Sequence, residues 1–316
     1  MSSTEIVPLG TGSAVPTQGR SFSSVAVVRP EETLLFDCGE GTQARLIDSR
    51  IRFSRIKSIF LTHLHGDHIF GLPGLLSTMS LLQRGQAMRV VGPIGIQRIV
   101  ETMPGLGPGQ TSFDIDFIQL DDNDRRIVVH ETDSYRVFAR SVDHGVPAYG
   151  YRYEESTKQG NLDVERARSM GVTRFEDFRR LKTGDSVVGD GGNVVRSEEV
   201  VGASSPGGVF AYVGDTRPCE GSLDLAKGAD ILYHEATFAA DLTQRAAETG
   251  HSTAVDAARI ARRARVGRLL LSHFSSRYSD IGMLIEEARS DFLDTEAAVE
   301  LQRYALQRSE TEEADQ

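Results

Sequence analysis

Short apolar runs alternate with glycine-rich turns and helically spaced segments in the first third of the chain. Apolar runs bounded by glycine, proline or charged residues predict buried strands, whereas apolar side chains three and four residues apart predict helices. The strand-like runs lie at 6–9, 23–28, 33–36, 56–61 and 88–91, and helical spacing begins near Thr42 and recurs at 72–82 and 94–103. Because 23–28 and 33–36 are joined around Pro30-Glu31-Glu32, we expect them to form a hairpin.

The later strand-like runs share one property, which is that a ligand-type or acid–base residue follows each of them. The runs lie at 137–142, 209–213, 231–233 and 269–272, and they are followed by Asp143-His144, Asp215, His234-Glu235 and His273. Helical spacing recurs at 252–264 and 281–292. Alternating strands and helices predict a layered α/β fold in which the strand ends carry the chemistry.

The apolar pattern thins between Tyr153 and Val200, where several glycines interrupt it. A segment of about 45 residues with so little core-forming pattern predicts a flexible arm, inserted at about 154–200, that projects from the globule. Within it, residues 166–182 carry six basic and two acidic side chains, a net charge of +4. Two interpretations stay open at this point: a solvated helical surface, or an arm that binds phosphates.

Composition narrows the class of protein. At 316 residues, with 39% hydrophobic and 25% charged residues, the chain can bury a substantial core as an ordinary globular protein. Its net charge of −10 repels nucleic acid, so any such binding requires a local basic patch. Two cysteines, Cys38 and Cys219, provide no disulfide framework, which fits a reducing cytosol. Without a long apolar run or a signal pattern at its N-terminus, the chain is expected to be cytoplasmic.

The densest chemistry lies directly after the apolar run 56–61. Three imidazoles and a carboxylate fall within six residues of the stretch Thr62-His63-Leu64-His65-Gly66-Asp67-His68. Neutral imidazole and carboxylate are natural ligands of zinc and similar divalent ions. Gly66 permits a sharp bend between the two halves of the stretch, an arrangement that suits two adjacent metals better than one.

A two-metal hydrolase needs about seven ligands, one of them shared between the ions. The histidine-rich stretch and the later strand ends can supply such a set: His63, His65, Asp67, His68, His144, Asp215 and His273. Asp215, which lies between Gly214 and Thr216, suits a carboxylate that bridges both ions.

The motifs resemble those of the metallo-β-lactamase superfamily and, within it, the short form of the ribonuclease Z family of tRNA 3′-processing endonucleases. The resemblance runs nearly end to end. Besides the histidine-rich stretch, it rests on Leu9-Gly10-Thr11-Gly12, Phe36-Asp37-Cys38-Gly39-Glu40-Gly41, Gly71-Leu72-Pro73-Gly74-Leu75, Gly92-Pro93-Ile94-Gly95, Gly214-Asp215-Thr216-Arg217-Pro218, His234-Glu235-Ala236-Thr237-Phe238 and His251-Ser252-Thr253.

The resemblance implies an α/β fold, a four-layer αβ/βα sandwich with a protruding arm, in which two metals lie at the rim between two sheets. We therefore expect one metallo-β-lactamase-like domain at 1–307 that contains the inserted arm, followed by a frayed acidic tail at 308–316. The implied cofactors are two Zn²⁺ per subunit, with Mn²⁺ or Mg²⁺ as alternatives. By position, one zinc is held by His63, His65, His144 and Asp215, and the other by Asp67, His68, Asp215 and His273.

The resemblance also implies catalytic roles. Asp67 would orient the attacking water or take its proton, and His251, oriented by Glu235, would protonate the leaving 3′-oxygen. A position at a helix start beside a capping Ser252 is the alternative for His251. His234 should point to the opposite face of its strand from Glu235 and be structural, and His130 is expected at the surface.

Two segments depart from the family pattern. Where the family often has Pro-x-Lys-x-Arg-Asn, this chain has Gln18 and Ser21, although Arg20 can still contact a phosphate. In the arm, Phe175-Glu176 stands about where a Gly-Pro turn is common. The arm residues expected to contact substrate are Arg174, Arg179, Arg180 and Lys182.

The expected function is cleavage of precursor tRNA 3′ to the discriminator nucleotide, which leaves a 3′-hydroxyl on the tRNA and a 5′-phosphate on the trailer. The resemblance also suggests a homodimer whose arm reaches tRNA bound mainly by the partner. Two alternatives are a small-molecule phosphodiesterase of the same superfamily, favoured if 166–182 is dispensable, and a tRNA-binding protein without turnover. Intact metal ligands argue against the second alternative.

Overall fold

The computed structural model describes residues 4–121 and 125–308. These residues form two compact units: a larger one that runs to Thr132 and includes 136–154 and the chain from Gly208 onward, and a smaller one of 133–135 and 155–207. Of the expected acidic tail, 309–316 lies outside the described residues. That the insertion is flexible stays a prediction.

Strands and helices alternate along the chain, as the apolar pattern predicts. The first half contains β1 Glu5–Gly10, β2 Ser24–Val28, β3 Thr33–Phe36, α1 Thr42–Asp48, β4 Ile56–Phe60, α2 Gly66–Ile69, α3 Gly71–Leu81, β5 Met88–Pro93, α4 Ile96–Glu101, β6 Ile115–Leu120, β7 Ile127–Glu131, β8 Tyr135–Val142 and β9 Ala148–Glu155. The second half contains α5 Val164–Ser169, α6 Phe175–Lys182, β10 Val187–Val188, β11 Val194–Val195, α7 Ser197–Val200, β12 Val209–Val213, α8 Glu220–Ala226, β13 Ile231–Glu235, α9 Thr243–Thr249, α10 Ala254–Ala264, β14 Arg268–Ser272, α11 Gly282–Arg289, β15 Thr295–Ala297 and β16 Tyr304–Ala305.

The larger unit is built on two seven-stranded mixed sheets. The first has the order β16-β1-β2-β3-β4-β5-β6 and the second β15-β14-β13-β12-β9-β8-β7. In the first sheet, β2 and β3 form the expected antiparallel hairpin, and β3 to β6 run parallel. In the second, β12 to β15 run parallel.

Strand alternation divides the core of the larger unit into layers. Leu35 of β3 and Ala211 of β12 face clusters that contain helix side chains, from α1, α3 and α4 on the first sheet and from α8, α10 and α11 on the second. Phe36 of β3 instead stacks on Phe60, with ring centroids 5.0 Å apart, and meets Phe210 of the other sheet edge-on at 6.0 Å. The expected four-layer αβ/βα sandwich is confirmed.

The smaller unit has a core of its own, although its sequence shows little apolar periodicity. The core consists of six buried side chains: Ala167, Val172, Leu181, Val187, Val195 and Val200. Asp163 caps helix α5, because its side chain accepts a hydrogen bond from the backbone N–H of Arg166.

Within the described parts of the chain, no helix combines the length and the apolar character needed to cross a lipid bilayer.

Candidate metal centre

The histidine-rich stretch leaves β4 and turns immediately into α2. His65 occupies the position before this helix, and Gly66 begins it. A Cβ on Gly66 would lie 2.2 Å from Cε2 of Phe70, so a larger residue there would displace this exposed ring. The bend places His63 and His65 before the turn, and Asp67 and His68 after it.

The first group of ligand atoms joins the stretch to the ends of β8 and β12. The ligand atoms of His63, His65, His144 and Asp215 all lie within 4.8 Å of one another. His63 Nε2 is 3.0 Å from His65 Nδ1, and His144 Nε2 is 3.4 Å from the same atom. Oδ2 of Asp215 lies 3.6 Å from His63 Nε2.

The second group joins the other half of the stretch to the end of β14. His68 Nε2 lies 3.4 Å from His273 Nε2, and Oδ2 of Asp67 lies 3.6 Å and 3.5 Å from these two nitrogens. Oδ1 of Asp215 is 3.4 Å from the first nitrogen and 3.1 Å from the second. Each oxygen of Asp215 therefore faces a different group, which is the geometry of a bridging carboxylate.

The imidazoles are oriented by hydrogen bonds on the side away from the cluster. His68 Nδ1 lies 2.7 Å from Asp37 Oδ2, His144 Nδ1 lies 2.7 Å from the carbonyl oxygen of Gly250, and His273 Nδ1 lies 2.9 Å from the hydroxyl of Thr237. A proton on each Nδ1 leaves the lone pair of Nε2 directed into the cluster. Such outer hydrogen bonds are typical of metal-binding histidines.

These residues fit a pair of divalent ions. Oδ1 of Asp215 is buried and accepts no hydrogen bond from any residue that the structure describes, a costly state for a carboxylate oxygen unless a cation binds it. Burial would raise the pKa of Asp215, but His273 and His68 outweigh it and hold the pKa well below its usual value, so the carboxylate stays ionised. Imidazole nitrogen with carboxylate oxygen is the donor set that zinc prefers.

Asp37 is the main support that the sequence did not identify as part of the site. Its buried carboxylate accepts hydrogen bonds from the backbone N–H of Thr62 at 2.7 Å and from the hydroxyl of Tyr212 at 2.8 Å, besides its contact with His68. Thr237 and Gly250 were also missed. Thr237 lies in a motif that carries the family resemblance and Gly250 directly precedes another, but groups that orient a ligand from behind have no ligand-type signature in a sequence.

His251 and Glu235 lie at the edge of the cluster and form a pair. His251 Nδ1 is 3.0 Å from Glu235 Oε1, which also accepts from the backbone N–H of Thr216 at 2.8 Å. Burial lowers the pKa of His251, but the charge and hydrogen bond of Glu235 outweigh burial and raise it to about 9. Glu235 therefore favours the protonated form of His251, the form that a proton donor requires.

The loop at 10–21 is attached to the cluster and to the C-terminal part of the chain. The backbone N–H of Ala14 donates to Asp67 Oδ2 at 2.9 Å. The carboxylate of Glu300 accepts from the backbone N–H groups of Thr11 at 3.0 Å and Ser21 at 2.7 Å, and it pairs with Arg45 at 2.8 Å. A single glutamate thus fixes both ends of the loop.

Arg20, expected to contact a phosphate, is already engaged within the protein. Its Nη2 donates to the carbonyl oxygens of Ser275 at 3.3 Å and Tyr278 at 2.8 Å, and its Nε is buried. A phosphate contact through Nη1 stays a prediction.

The two remaining histidines differ from each other. His234 is fully buried, its Nδ1 lies 2.8 Å from the carbonyl oxygen of Glu235, and it lies outside both ligand groups, as expected of a structural residue. The expectation of a surface position for His130 is wrong. His130 is half-buried, 3.0 Å from Arg89 and edge-on to Phe60, and burial and Arg89 lower its pKa to about 4.

The expected substrate-binding residues of the arm lie on the smaller unit. Arg174, Arg179, Arg180 and Lys182 are exposed. A groove of about 680 Å³ is lined there by Asn161, Leu162, Val164, Arg168, Phe175, Phe178, Arg179 and Lys182. The groove combines cations with an aromatic ring, since Phe175 is 76% exposed.

Comparison with known proteins adds independent findings. The family model described as Anti-Pycsar protein Apyc1 matches residues 4–99, and the model described as a beta-lactamase superfamily domain matches 196–274. A protein named Ribonuclease Z from Salinibacter ruber is 49% identical over 98% of this chain and 96% of its own length. One of the same name from Geobacillus kaustophilus is 42% identical over 96% of this chain and 99% of its own.

A solved structure agrees with these sequence relatives. The crystal structure of human tRNase Z, short form, superposes with a TM-score of 0.68 at 28% identity, covering 96% of this chain and 99% of the human one. The likeness therefore extends over both the fold and nearly the whole length of the chain.

Proposed function

Because the chain belongs to the ribonuclease Z family, we propose that it is a metal-dependent endoribonuclease that cuts precursor tRNA 3′ to the discriminator nucleotide. The products are a tRNA with a 3′-hydroxyl and a trailer with a 5′-phosphate. The observation that carries the proposal is the pair of ligand groups that share Asp215, with a protonated His251 at their edge.

The chain's own residues account for both proton transfers. When bound, two divalent ions acidify the attacking water and neutralise the oxygens of the scissile phosphate. The carboxylate of Asp67, held by Ala14 N–H, accepts a proton from the water whose oxygen forms the new bond to phosphorus. His251 donates its proton to the 3′-oxygen as the bond from phosphorus to that oxygen breaks. Glu235 positions His251 and keeps it protonated.

We propose two zinc ions per subunit as the resident metals, with Mn²⁺ or Mg²⁺ as substitutes. Histidine supplies three of the four ligands in the first group and two of the four in the second, and nitrogen donors favour zinc over magnesium. Metal analysis of the purified protein tests the assignment: about two zinc per chain is expected, and a stoichiometry near zero would contradict it.

We further propose that the smaller unit binds the backbone of the tRNA. Support comes from its exposed cations, Arg174, Arg179, Arg180 and Lys182, on a chain whose net charge is −10. Arg180 is partly engaged, since its Nε lies 3.7 Å from Asp185. Arg179 and Lys182 line the groove, whereas Arg180 does not.

We propose a homodimer in the cytoplasm. α1 packs against α3, and these helices carry large exposed apolar side chains near their ends, Ile47 at 65%, Leu81 at 81% and Leu82, which follows α3, at 65%. Exposed apolar residues so placed favour a protein partner. Light scattering on a sizing column tests the dimer.

The proposed location in the cytoplasm rests on the cysteines. Cys38 and Cys219 are both free thiols, which is compatible with a reducing compartment.

The direct test of the function is product mapping on one 3′-extended tRNA transcript with zinc. Cleavage after the discriminator nucleotide is expected, with a 5′-phosphate on the released trailer. A parallel transcript that carries CCA tests discrimination of the 3′ end, which Gln18 and Ser21 put in question. Failure to cut tRNA, together with hydrolysis of small phosphodiesters, would favour a small-molecule phosphodiesterase instead.

A further inference from the structure

An apolar pocket lies beside the metal centre in the larger unit. Its volume is about 220 Å³, smaller than a typical drug-sized site. It is lined by Leu64, His65, Pro93, Ile94, Val146 and Pro147. Of these six residues, only His65 has a polar side chain, and His65 also belongs to the first ligand group.

The pocket walls come from three segments that the fold holds in fixed positions. Leu64 lies between two histidines of the ligand stretch, and Val146 follows His144 by two residues. The two loops are connected by the hydrogen bond from Tyr149 N–H to the carbonyl oxygen of Thr62, at 2.9 Å.

The third wall is Pro93-Ile94 at the end of β5, and its shape depends on Gly95. This residue has a φ of 105°, which favours glycine, and a Cβ there would lie 3.5 Å from Leu64 Cδ1. The backbone N–H of Gly95 donates to the side chain of Gln119 at 2.8 Å. The pocket is therefore preformed.

Ile94 is 61% exposed. A single exposed apolar side chain is ordinary on a protein surface. What distinguishes Ile94 is its place in the wall of a pocket that is also lined by the ligand histidine His65.

We propose that this pocket receives the base of the nucleotide immediately 3′ of the cut, the first nucleotide of the trailer. The inference rests on the proposed function. A nucleobase presents a flat apolar face, which aliphatic walls can cover without hydrogen bonds to its edges. The pocket therefore recognises the presence of a base more than its identity.

The relative positions of the histidine rings assign the pocket to the trailer nucleotide rather than to the discriminator nucleotide. The rings of His65 and His251 lie 5.2 Å and 5.3 Å from that of His144, and the His251 ring is also 5.6 Å from that of His273. The leaving 3′-oxygen of the discriminator nucleotide must lie at His251. The pocket adjoins His65, in the first ligand group, and so serves the nucleotide on the other side of the phosphate.

The experiment compares two extended tRNAs that differ only at the first trailer position, where one has a base and the other an abasic ribose. With the holoenzyme, removal of the base should lower kcat/KM roughly tenfold, as expected when part of one apolar face is no longer buried. In Ile94→Ala this penalty should shrink to about twofold. Leu293→Ala is the matched control because Leu293 is also exposed, at 82%, and should keep the full penalty.

A binding measurement gives a readout that does not depend on turnover. Uncleavable versions of both RNAs, with a methylene in place of the scissile 3′-oxygen, should differ in affinity for the wild type and differ less for Ile94→Ala. Equal penalties in wild type and Ile94→Ala would overturn the pocket assignment. The same comparison with an RNA that is abasic at the discriminator nucleotide tests the position. If Ile94→Ala reduces the penalty only for that RNA, the assignment of the pocket to the trailer is wrong. If the wild type cuts neither RNA, the proposed function itself fails.

Discussion

At the residue scale, the Asp215 carboxylate connects the two ligand groups, because Oδ2 faces His63 whereas Oδ1 faces His68 and His273. Asp215→Ala should therefore remove both ions and abolish tRNA cleavage. Metal analysis after gel filtration, together with product formation, checks this. Asp67→Ala is the comparison, since among the ligand histidines Asp67 contacts His68 and His273 of the second group, and its loss should release one ion more readily than the other. Retention of two ions by Asp215→Ala would contradict a bridging role.

The His251–Glu235 pair predicts a specific dependence on pH. Burial lowers the pKa of His251, and Glu235 more than compensates, giving about 9. A general acid acts only in its protonated form, so kcat/KM should fall as pH rises through about 9. In Glu235→Gln the larger raising charge is lost, while burial and the smaller raising effect of Asp215 remain. The alkaline limb should therefore move to lower pH, toward the ordinary histidine value near 6.5.

The measurement is a pH profile of kcat/KM for both proteins. Glu248→Gln serves as a control, because Glu248 is an exposed carboxylate on α9 that pairs with Arg245 rather than with a histidine. An alkaline limb at the same pH in wild type and Glu235→Gln would show that another group donates the proton.

The sequence predicted the donor atoms of the site but not the atoms behind them. Histidine and aspartate in a tight cluster have few roles besides metal binding, so His63 and His65 were recognisable from residue type alone. Asp37 was not, because a carboxylate that orients His68 from 2.7 Å differs from a surface carboxylate only in its burial. Likewise, nothing in the sequence indicated that Nη2 of Arg20 donates to the carbonyl oxygens of Ser275 and Tyr278, and a phosphate contact by Arg20 stays a prediction.

At the element scale, the connection between α9 and α10 depends on one glycine. Gly250 has a φ of 80°, accepts a hydrogen bond from His144 Nδ1, and would place a Cβ 2.8 Å from that nitrogen. Gly250→Ala should therefore displace His144 and weaken metal binding roughly tenfold to a hundredfold, besides costing about 1–2 kcal/mol of stability for the left-handed backbone.

Gly228→Ala is the matched control for this prediction. Gly228 also has a positive φ, of 61°, but a Cβ there meets no atom within 4 Å. Its variant should show a similar loss of unfolding free energy in urea, with unchanged affinity for zinc. If both variants bind zinc as tightly as the wild type, the Gly250 contact has no part in holding His144.

Most element boundaries follow from local rules, and the exceptions have identifiable causes. Helix α4 begins at Ile96 instead of the predicted Ile94 because Gly95 adopts a left-handed conformation at the helix start. Helix α10 begins at Ala254, since the side chain of Thr253 accepts from the backbone N–H of Asp256 and caps it. Strands β6 and β9 were missed, because polar residues interrupt their apolar runs and pairing with neighbouring strands compensates for the weak pattern.

At the scale of the whole molecule, a chain of net charge −10 must concentrate its cations to bind RNA. Replacing Arg179 and Arg180 together by Ala should weaken tRNA binding and reduce the slope of log K against log salt by about 0.7–0.9 for each phosphate that the variant no longer neutralises. Hydrolysis of a small phosphodiester should be unchanged. Arg262 and Arg263, an adjacent exposed pair on α10, provide the control. If tRNA binding and hydrolysis of the small phosphodiester fell equally, the smaller unit would instead be needed for the fold of the catalytic site.

The layered architecture was predictable, whereas the compact nature of the insertion was not. Alternating apolar runs and helical segments lead to sheets covered by helices, because only layers bury one face of each element. The insertion lacked such a pattern, and its core of small apolar residues such as Ala167 and Val195 depends on contacts between positions far apart in that segment.

The attachment of Glu300 to the loop at 10–21 affects when the loop can be anchored during synthesis of the chain. Ser21 and Glu300 are separated by 279 positions, so during synthesis at about 5–20 residues per second the loop exists for roughly 15 to 55 seconds before its anchor is made. In that interval we expect the nascent chain to contain the histidine-rich stretch already. The loop whose Ala14 N–H donates to Asp67 is not yet anchored by Glu300. Competence to cut RNA would thus be acquired only after residue 300 has been synthesised.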